Sequence, residues 1–146
     1  MSPPRERART GHATFDHGAD IGVSGGGPTP AAAFEQAALA LTSVVCEPAT
    51  VRAAEAVRLE AADDDLEMLL YAWLHALVYE MAAGNMLFSR FEVAIEDGRL
   101  RAVAHGEPVD VARHAPAVEV KGPTMTELAV GQEDDGTWHA RCVVDV

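Results

Sequence analysis

Apolar side chains recur every three or four positions between residues 66 and 81, which is the spacing of one face of an α-helix. The stripe consists of Leu66, Leu69, Leu70, Trp73, Leu74, Leu77, Val78 and Met81. Asp64 followed by Glu67 resembles a capping box and predicts where this helix begins, and Gly84 with Asn85 predicts where it ends. So long an apolar face has to be buried, so the chain needs a sheet or another helix to cover it.

A second helix is predicted upstream, with Pro30 as its first residue. Thr29 is a favourable N-cap, and proline suits the first helical position because its missing N–H would be unpaired there. Apolar residues then recur at helical spacing, at Phe34, Ala37, Ala38, Leu41, Val44 and Val45. We expect this helix to stop before Pro48.

The remaining segments favour strands. Residues 57–61 and 91–95 carry apolar side chains at every second position, and Asp97 with Gly98 predicts a tight turn into residues 100–104. Further strands are expected at residues 13–15, 21–23, 118–121, 125–130 and 138–144. The sequence therefore predicts an α+β fold with two helices packed on a largely antiparallel β-sheet. We assign residues 1–12 to a disordered leader and residues 13–146 to a single compact domain.

The composition of the chain limits the functions that it can have. A chain of 146 residues with 49% hydrophobic residues can bury one continuous core. The net charge of -12 disfavours direct nucleic-acid binding and suits a protein partner or a cation. The sequence contains neither a membrane-length apolar run nor a secretory signal, and we expect a cytoplasmic protein. Cys46 and Cys142 are far apart and are expected to be buried, reduced thiols.

The glycine-rich run at residues 24–27 lies where a phosphate-binding loop would lie, between a strand and a helix. It lacks the terminal GK[ST] of a P-loop, and its glycines do not follow the spacing of a dinucleotide-binding fingerprint. We interpret the run as a flexible strand-to-helix turn in which glycine allows positive φ. We assign no nucleotide to it.

Three places carry candidate chemistry. Asp16, His17 and Asp20 are close in sequence, and His17 is either a base or ligand or an ordinary polar turn residue. Asp145 follows an apolar strand and is next to the terminal carboxylate, so this strand end either attracts a cation or frays into solvent. Lys121 is the only lysine among eleven basic residues, which indicates a role for a compact ammonium or is a coincidence.

Several motifs occur together in a recognisable order. They are FDHGADIGVSGGGPTP, DDLEMLLYAWLHALVYE, LFSRFEV, GEPVDVARH, VEVKGPT and the terminal VVDV. In order and spacing they resemble the archease family over residues 14–146. The resemblance implies a non-enzymatic accessory protein that activates an RtcB-type RNA-splicing ligase in tRNA processing. It would promote guanylylation of the ligase and allow multiple turnover.

The resemblance also implies a metal site. Asp20 and Asp145 correspond to metal ligands, Val146 contributes a main-chain or terminal oxygen, and Lys121 corresponds to a functionally important lysine. Oxygen ligands favour calcium or magnesium. We expect Asp16 and His17 to lie just outside the ligands or to serve in the turn. RNA would be contacted only through the ligase, and no membrane is involved.

Two other functions remain open at this point. One is a small metal-dependent phosphohydrolase that uses Asp20 and Asp145 as ligands and His17 as base. The other is a chaperone-like binding module that relies on exposed apolar surface. The sequence leaves the oligomeric state undetermined.

Overall fold

The computed structural model describes residues 9–146, which form two antiparallel sheets with two long helices between them. The strands are β1 (Gly11–His17), β2 (Asp20–Gly27), β3 (Glu55–Ala62), β4 (Met86–Glu96), β5 (Arg99–Pro108), β6 (Gly122–Pro123), β7 (Ala129–Gln132) and β8 (Trp138–Asp145). The helices are α1 (Pro30–Val45), α2 (Leu66–Ala83) and the short α3 (Val111–His114), with a 3-10 turn at Pro48–Thr50. This arrangement confirms the predicted α+β class and adds α3 to the two expected helices.

The sheets divide the strands by their position in the chain. The first sheet has the order β1-β2-β8-β6, with β7 also paired to β8, and it joins the N-terminal hairpin to the C-terminal strand. The second sheet has the order β3-β5-β4. Its β4–β5 hairpin turns at Asp97 and Gly98, which have φ of 50° and 74°, as the sequence predicts. Among residues 9–146 no helix has the length and apolar character needed to cross a membrane.

Helix α1 lies between the two sheets, and none of its residues is exposed. Thr29 caps it as predicted, since its side chain accepts a hydrogen bond from the amide of Ala32. On the other side, the Thr42 hydroxyl donates to the Phe88 carbonyl of β4 at 2.8 Å. The helix therefore fixes the separation of the two sheets.

The glycine-rich run is where the structure departs most from the sequence expectation. Residues 24–27 belong to β2 instead of forming a turn, and none of their glycines has positive φ. A Cβ atom built on Gly25 would overlap the main chain of α1 at Ala33 and Ala37, and one on Gly27 would crowd Ala32. The glycines are required because helix and strand backbones approach closely, not because the chain turns.

Helix α2 buries the predicted stripe. Its N-cap is Asp65, one residue later than predicted, because the Asp65 carboxylate accepts hydrogen bonds from the amides of Glu67 and Met68. At its end, Asn85 takes the positive φ of 51° while Gly84 remains helical. Trp73 is fully buried, and its indole N–H donates to the Phe34 carbonyl of α1 at 3.0 Å.

Two predicted strands were wrong in part or in full. Residues 118–121 lie outside any strand, because the register pairs Gly122 with Asp145, the last residue of β8, and leaves residues 118–120 beyond the end of that neighbour. In the segment predicted as a strand over 125–130, a turn with φ of 56° at Glu127 precedes β7. Alternating burial alone does not make a strand where no neighbouring chain is available to pair.

The N-terminal boundary also differs from the expected one. Residues 1–8 of the expected leader lie outside the described residues. Gly11 and His12 are in β1, and the Arg9 amide donates to the Thr137 hydroxyl at 3.0 Å. The paired structure therefore starts before residue 13.

A buried ionic cluster anchors the chain between β5 and Lys121. Glu107 is 7% exposed and accepts two hydrogen bonds from the Arg113 guanidinium, at 2.7 and 2.6 Å, and one from the Arg52 amide. His114 contacts the same carboxylate through Nε2 at 3.2 Å, while its Nδ1 accepts from the Asp110 amide. These bonds, led by Arg113, hold the pKa of Glu107 well below its usual range.

The close approach of α1 and β2 predicts a sharp difference between two neighbouring glycines. Gly25→Ala should destabilise the protein by about 2–3 kcal/mol, because the added methyl group overlaps the main chain of α1. Gly26→Ala should change stability by less than about 0.5 kcal/mol, because a Cβ there has its nearest neighbours at 3.5 Å. Urea unfolding of both variants measures the difference, and equal stabilities would contradict the packing argument.

The Glu107 cluster predicts a pH signature. A lowered pKa means that the folded protein keeps this carboxylate ionised where the unfolded chain binds a proton, so the stabilisation is present above about pH 4.5 and is lost on acidification. Glu107→Gln should be less stable than wild type at pH 7, and the difference should shrink as the pH falls from 4.5 toward 3. Urea midpoints at several pH values test this, and a difference independent of pH would refute it.

Candidate functional site

The strand register aligns the N-terminal hairpin with the end of β8. His17 pairs with Asp20 across the β1–β2 hairpin, and Ile21 pairs with Val144 across β2 and β8. Asp20 and Asp145 are the residues next to this pair, one on each of the two neighbouring strands. Opposed residues on antiparallel strands point to the same face, so His17, Asp20 and Asp145 form one row on the face of the sheet that is turned away from α1.

Strand alternation separates Asp16 from this row. Asp16 pairs with Ile21 and is adjacent to His17 in β1, so the two side chains point to opposite faces of the sheet. His12, which has the same phase as Asp16, contacts Gln36 of α1 at 3.3 Å, so this phase faces the helix. Gly18 begins the turn between the strands with φ of 62°, a conformation that suits glycine. Of the two residues expected near the ligands, the row therefore includes His17 and excludes Asp16.

The ring of Phe15 lies on the same face as this row, next to His17 and Asp20. Phe15 pairs with Gly22, and its ring fills the space that a Cβ on Gly22 would occupy. Gly22 in turn pairs with Val143, which is 1% exposed. The outer face therefore has a packed apolar patch directly below the two carboxylates.

Lys121 lies beside the end of β8, on the edge opposite β2. We refer to Asp20, Asp145 and Lys121 together as the corner. The Lys121 amide N–H donates to the Asp145 carbonyl at 2.8 Å, and its side chain is exposed. Three residues later, the amide and hydroxyl of Thr124 both donate to the Val143 carbonyl, at 3.0 and 2.8 Å. Val146 is half-buried against the core. The main chain around Lys121 is thus fixed relative to Asp145.

The contributions of Thr124 and Phe15 are not evident from the sequence. Both act on the corner through contacts with residues that are distant in the chain or hidden in a hairpin register. A threonine after VEVKGP has no distinctive local pattern, so its hydrogen bonds to Val143 could not be predicted from the sequence.

The residues at this corner fit a hard cation with an incomplete set of protein ligands. Two carboxylates on neighbouring strands supply the oxygen atoms that calcium and magnesium prefer. Within residues 9–146 no group of three or more His, Cys, Asp and Glu side chains is arranged to hold a metal ion. Main-chain oxygens, water or a partner would have to complete the coordination.

The cysteines are not candidates for this chemistry. Cys46 and Cys142 are both free and buried, as expected. Burial raises the pKa of each thiol, which keeps it protonated at neutral pH. Neither thiol has the exposed, electropositive surroundings of a nucleophile.

The outer face of the second sheet carries arginines that could bind an anion. It carries Arg58, Arg90, Arg99 and Arg101, interleaved with Glu60, Glu92 and Glu96. His105 contacts Glu92 at 2.8 Å, and this hydrogen bond lowers the pKa of that carboxyl group. Acidic and basic groups nearly balance on this face, so it does not form a basic patch.

Comparisons with known proteins agree with the geometry. The archease protein family (MTH1598/TM1083) matches residues 12–146. Protein archease from Pyrococcus furiosus is 38% identical over 136 residues, covering 90% of this chain and 96% of the relative. Protein archease from Methanopyrus kandleri is also 38% identical over 136 residues, with the same coverage.

Two solved structures have a similar fold. The solution structure of protein 1598 from Methanobacterium thermoautotrophicum has a TM-score of 0.82 at 34% identity, covering 93% of this chain and 99% of that one. The crystal structure of an archease from Thermotoga maritima, described as a possible chaperone, has a TM-score of 0.57 at 15% identity and covers 90% of this chain and 94% of that one. The match over nearly the whole chain and the identity to curated relatives show that this chain belongs to the archease family.

Proposed function

We propose that this protein is an accessory factor of an RtcB-type RNA-splicing ligase, and that it stimulates guanylylation of the ligase through a metal-binding corner. The observation that supports this most directly is the register of β2 and β8, in which Ile21 pairs with Val144 immediately next to Asp20 and Asp145, together with the hydrogen bond from the Lys121 amide to the Asp145 carbonyl. The start of β2, the end of β8 and Lys121 are distant in the chain and lie at the same end of the first sheet.

The two carboxylates favour a cation between them. Like charges on directly opposed strand positions repel, and a positive charge nearby relieves that repulsion. We propose that Asp20, Asp145 and a main-chain oxygen of Val146 hold calcium or magnesium. The bound cation would offset negative charge on the phosphates of the nucleotide that the ligase uses.

Lys121 supplies a second positive charge with different properties. An ammonium group is a compact point charge with three donors, and it can approach a phosphate or carboxylate where a planar guanidinium does not fit. The hydrogen bond from its amide to Asp145 fixes the base of the side chain, and the exposed side chain can reach into a partner. In this proposal Lys121 contacts the ligase or its bound nucleotide.

The corner suits an accessory role better than catalysis by this chain. The row offers two carboxylates and His17, which is exposed. A two-metal phosphohydrolase needs a larger set of ligands to clamp both the attacking and the leaving oxygen. We therefore infer that the reacting groups belong to the ligase. Turnover of nucleotides by the isolated protein, lost in Asp20→Asn, would favour the enzyme instead.

A chaperone-like role is the second candidate. The Thermotoga maritima relative is described as a possible chaperone, and four large apolar side chains within residues 9–146 are exposed: Tyr79, Val111, Val118 and Met125. Suppression of aggregation that persists after Asp20 and Asp145 are replaced would support this role.

The metal proposal predicts that replacing either aspartate raises stability without a divalent cation and lowers it, relative to wild type, when the cation is present. In the absence of divalent ions, Asp20→Asn and Asp145→Asn should be more stable than wild type by about 0.2–1 kcal/mol, because a repulsion is removed. With calcium at about 100 times its Kd, wild type should gain about 2.7 kcal/mol and these variants much less. Asp16→Asn, on the opposite face of β1, should respond to calcium as wild type does.

Differential scanning calorimetry with and without calcium measures these shifts, and isothermal titration calorimetry gives the affinity. Magnesium is tested in parallel. The proposed ligands would be contradicted if wild type bound neither ion. They would also be contradicted if Asp16→Asn lost as much of the calcium-dependent stabilisation as Asp20→Asn.

The activator proposal predicts which variants fail to stimulate the ligase. The rate of covalent guanylylation of the cognate ligase should rise with wild type, and the rise should fall roughly tenfold or more with Asp20→Ala, Asp145→Ala or Lys121→Ala. Lys121→Arg should also fail to stimulate the ligase, because arginine keeps the positive charge but replaces the compact ammonium group with a planar guanidinium. Asp16→Ala is the matched control and should stimulate normally.

An absence of stimulation by wild type would overturn the proposal. Full stimulation by all three alanine variants would show that the corner is not the functional site.

A further inference from the structure

An apolar groove opens between α2 and the segment that leads into Lys121. It has a volume of about 270 Å³. Its floor includes Val78, Met86 and Val120, which are 7%, 7% and 5% exposed. Met81 forms part of one wall, and Val118 lies on the rim at 38% exposed. Val120 immediately precedes Lys121, so the groove is continuous with the proposed functional corner.

The groove is formed by an anchored main chain. The Ala117 amide donates to the Val45 carbonyl at 2.8 Å, and the Val109 amide donates to the Asn85 carbonyl at 2.9 Å. The Glu107–Arg113 ion pair holds the helix that precedes residues 116–120. A wall fixed at these points loses little conformational entropy when a ligand binds.

The shape and chemistry of the groove fit one or two inserted apolar side chains. Two methionines line it, and methionine adapts its shape to irregular apolar ligands. Glu119 is the only charged residue in the lining. An exposed apolar groove with an acidic rim is typical of a site that anchors a hydrophobic residue from a partner.

Charge selects among the partners that could fill it. The chain carries a net charge of -12, so a second copy approaching this groove is repelled, whereas a positively charged segment is attracted. Glu119 on the rim can pair with a lysine or arginine that flanks the inserted side chain. The complementary occupant is an amphipathic segment with apolar and basic residues.

We propose that this groove is a docking site for such a segment of the partner ligase, with an apolar side chain inserted against Val78 and Met86 and a basic residue beside Glu119. The inference rests on the proposed function, because it assigns an anchor to the same partner. Docking here would hold Lys121 and the carboxylate corner against the ligase.

The test measures affinity separately from activation. The Kd for the purified ligase is determined by biolayer interferometry for Val118→Arg and Glu119→Lys, both on the groove rim. Ala94→Arg and Glu60→Lys introduce the same residues at exposed positions on the outer face of the second sheet and serve as controls. Calcium binding and circular dichroism are recorded for every variant to show that the corner and the fold are intact.

Both rim variants should bind the ligase roughly tenfold more weakly, or worse, with calcium binding unchanged, and the controls should stay within about twofold of wild type. If the rim variants bind the ligase as wild type does while Asp20→Ala still fails to stimulate it, the groove is not the docking site, and the proposed function is unaffected. Rim variants that change only self-association, measured by light scattering, would assign the groove to a second copy and also overturn the proposal. A wild-type protein that neither binds nor stimulates the ligase would remove the proposed function itself.

Discussion

Close packing between helix α1 and strand β2 is the contact on which the rest of this structure depends. At Gly25 and Gly27 the backbones approach so closely that no side chain fits between them. Because α1 comes so near to the first sheet, its opposite side can also pack on β4, and the helix is enclosed by both sheets. The alanines of α1 suit this position, because Ala33 and Ala37 face Gly25 of β2 and a small side chain there allows the close approach.

The same contact fixes the position of β2, and β2 determines the functional corner. Its register with β8 pairs Ile21 with Val144, so Asp20 and Asp145 are the next residues of the two neighbouring strands, although 124 residues separate them in the chain. β8 is held on its other edge by β6 and by the hydrogen bonds of Thr124. In the proposed function, a cation bound between these two carboxylates would relieve the repulsion between them. This corner is therefore where we propose that the metal binds.

The segment after β5 connects this corner to the apolar groove. Glu107, Arg113 and His114 hold its start, and the Lys121 amide holds its end at Asp145. Between these points Val118 and Glu119 are exposed, while Val120 is buried. One stretch of irregular backbone thus carries both the proposed anchor for a partner and the lysine proposed to act on it. An accessory protein needs this combination, because affinity and activation have to be delivered in a fixed relative geometry.

The sequence by itself determined the features that depend on neighbouring residues: the two long helices, the cap at Thr29, the turn at Asp97 and the α+β class. It also singled out Asp20, Lys121 and Asp145 as candidates, because their chemistry is unusual for their positions. Tertiary structure decided the rest. The glycines of β2 serve a close approach to α1, residues 118–120 have no strand to pair with, and Asp16 and His17 point to opposite faces of β1. Periodicity is encoded locally, whereas register and backbone separation depend on partners that are distant in the chain, so only the folded protein fixes them.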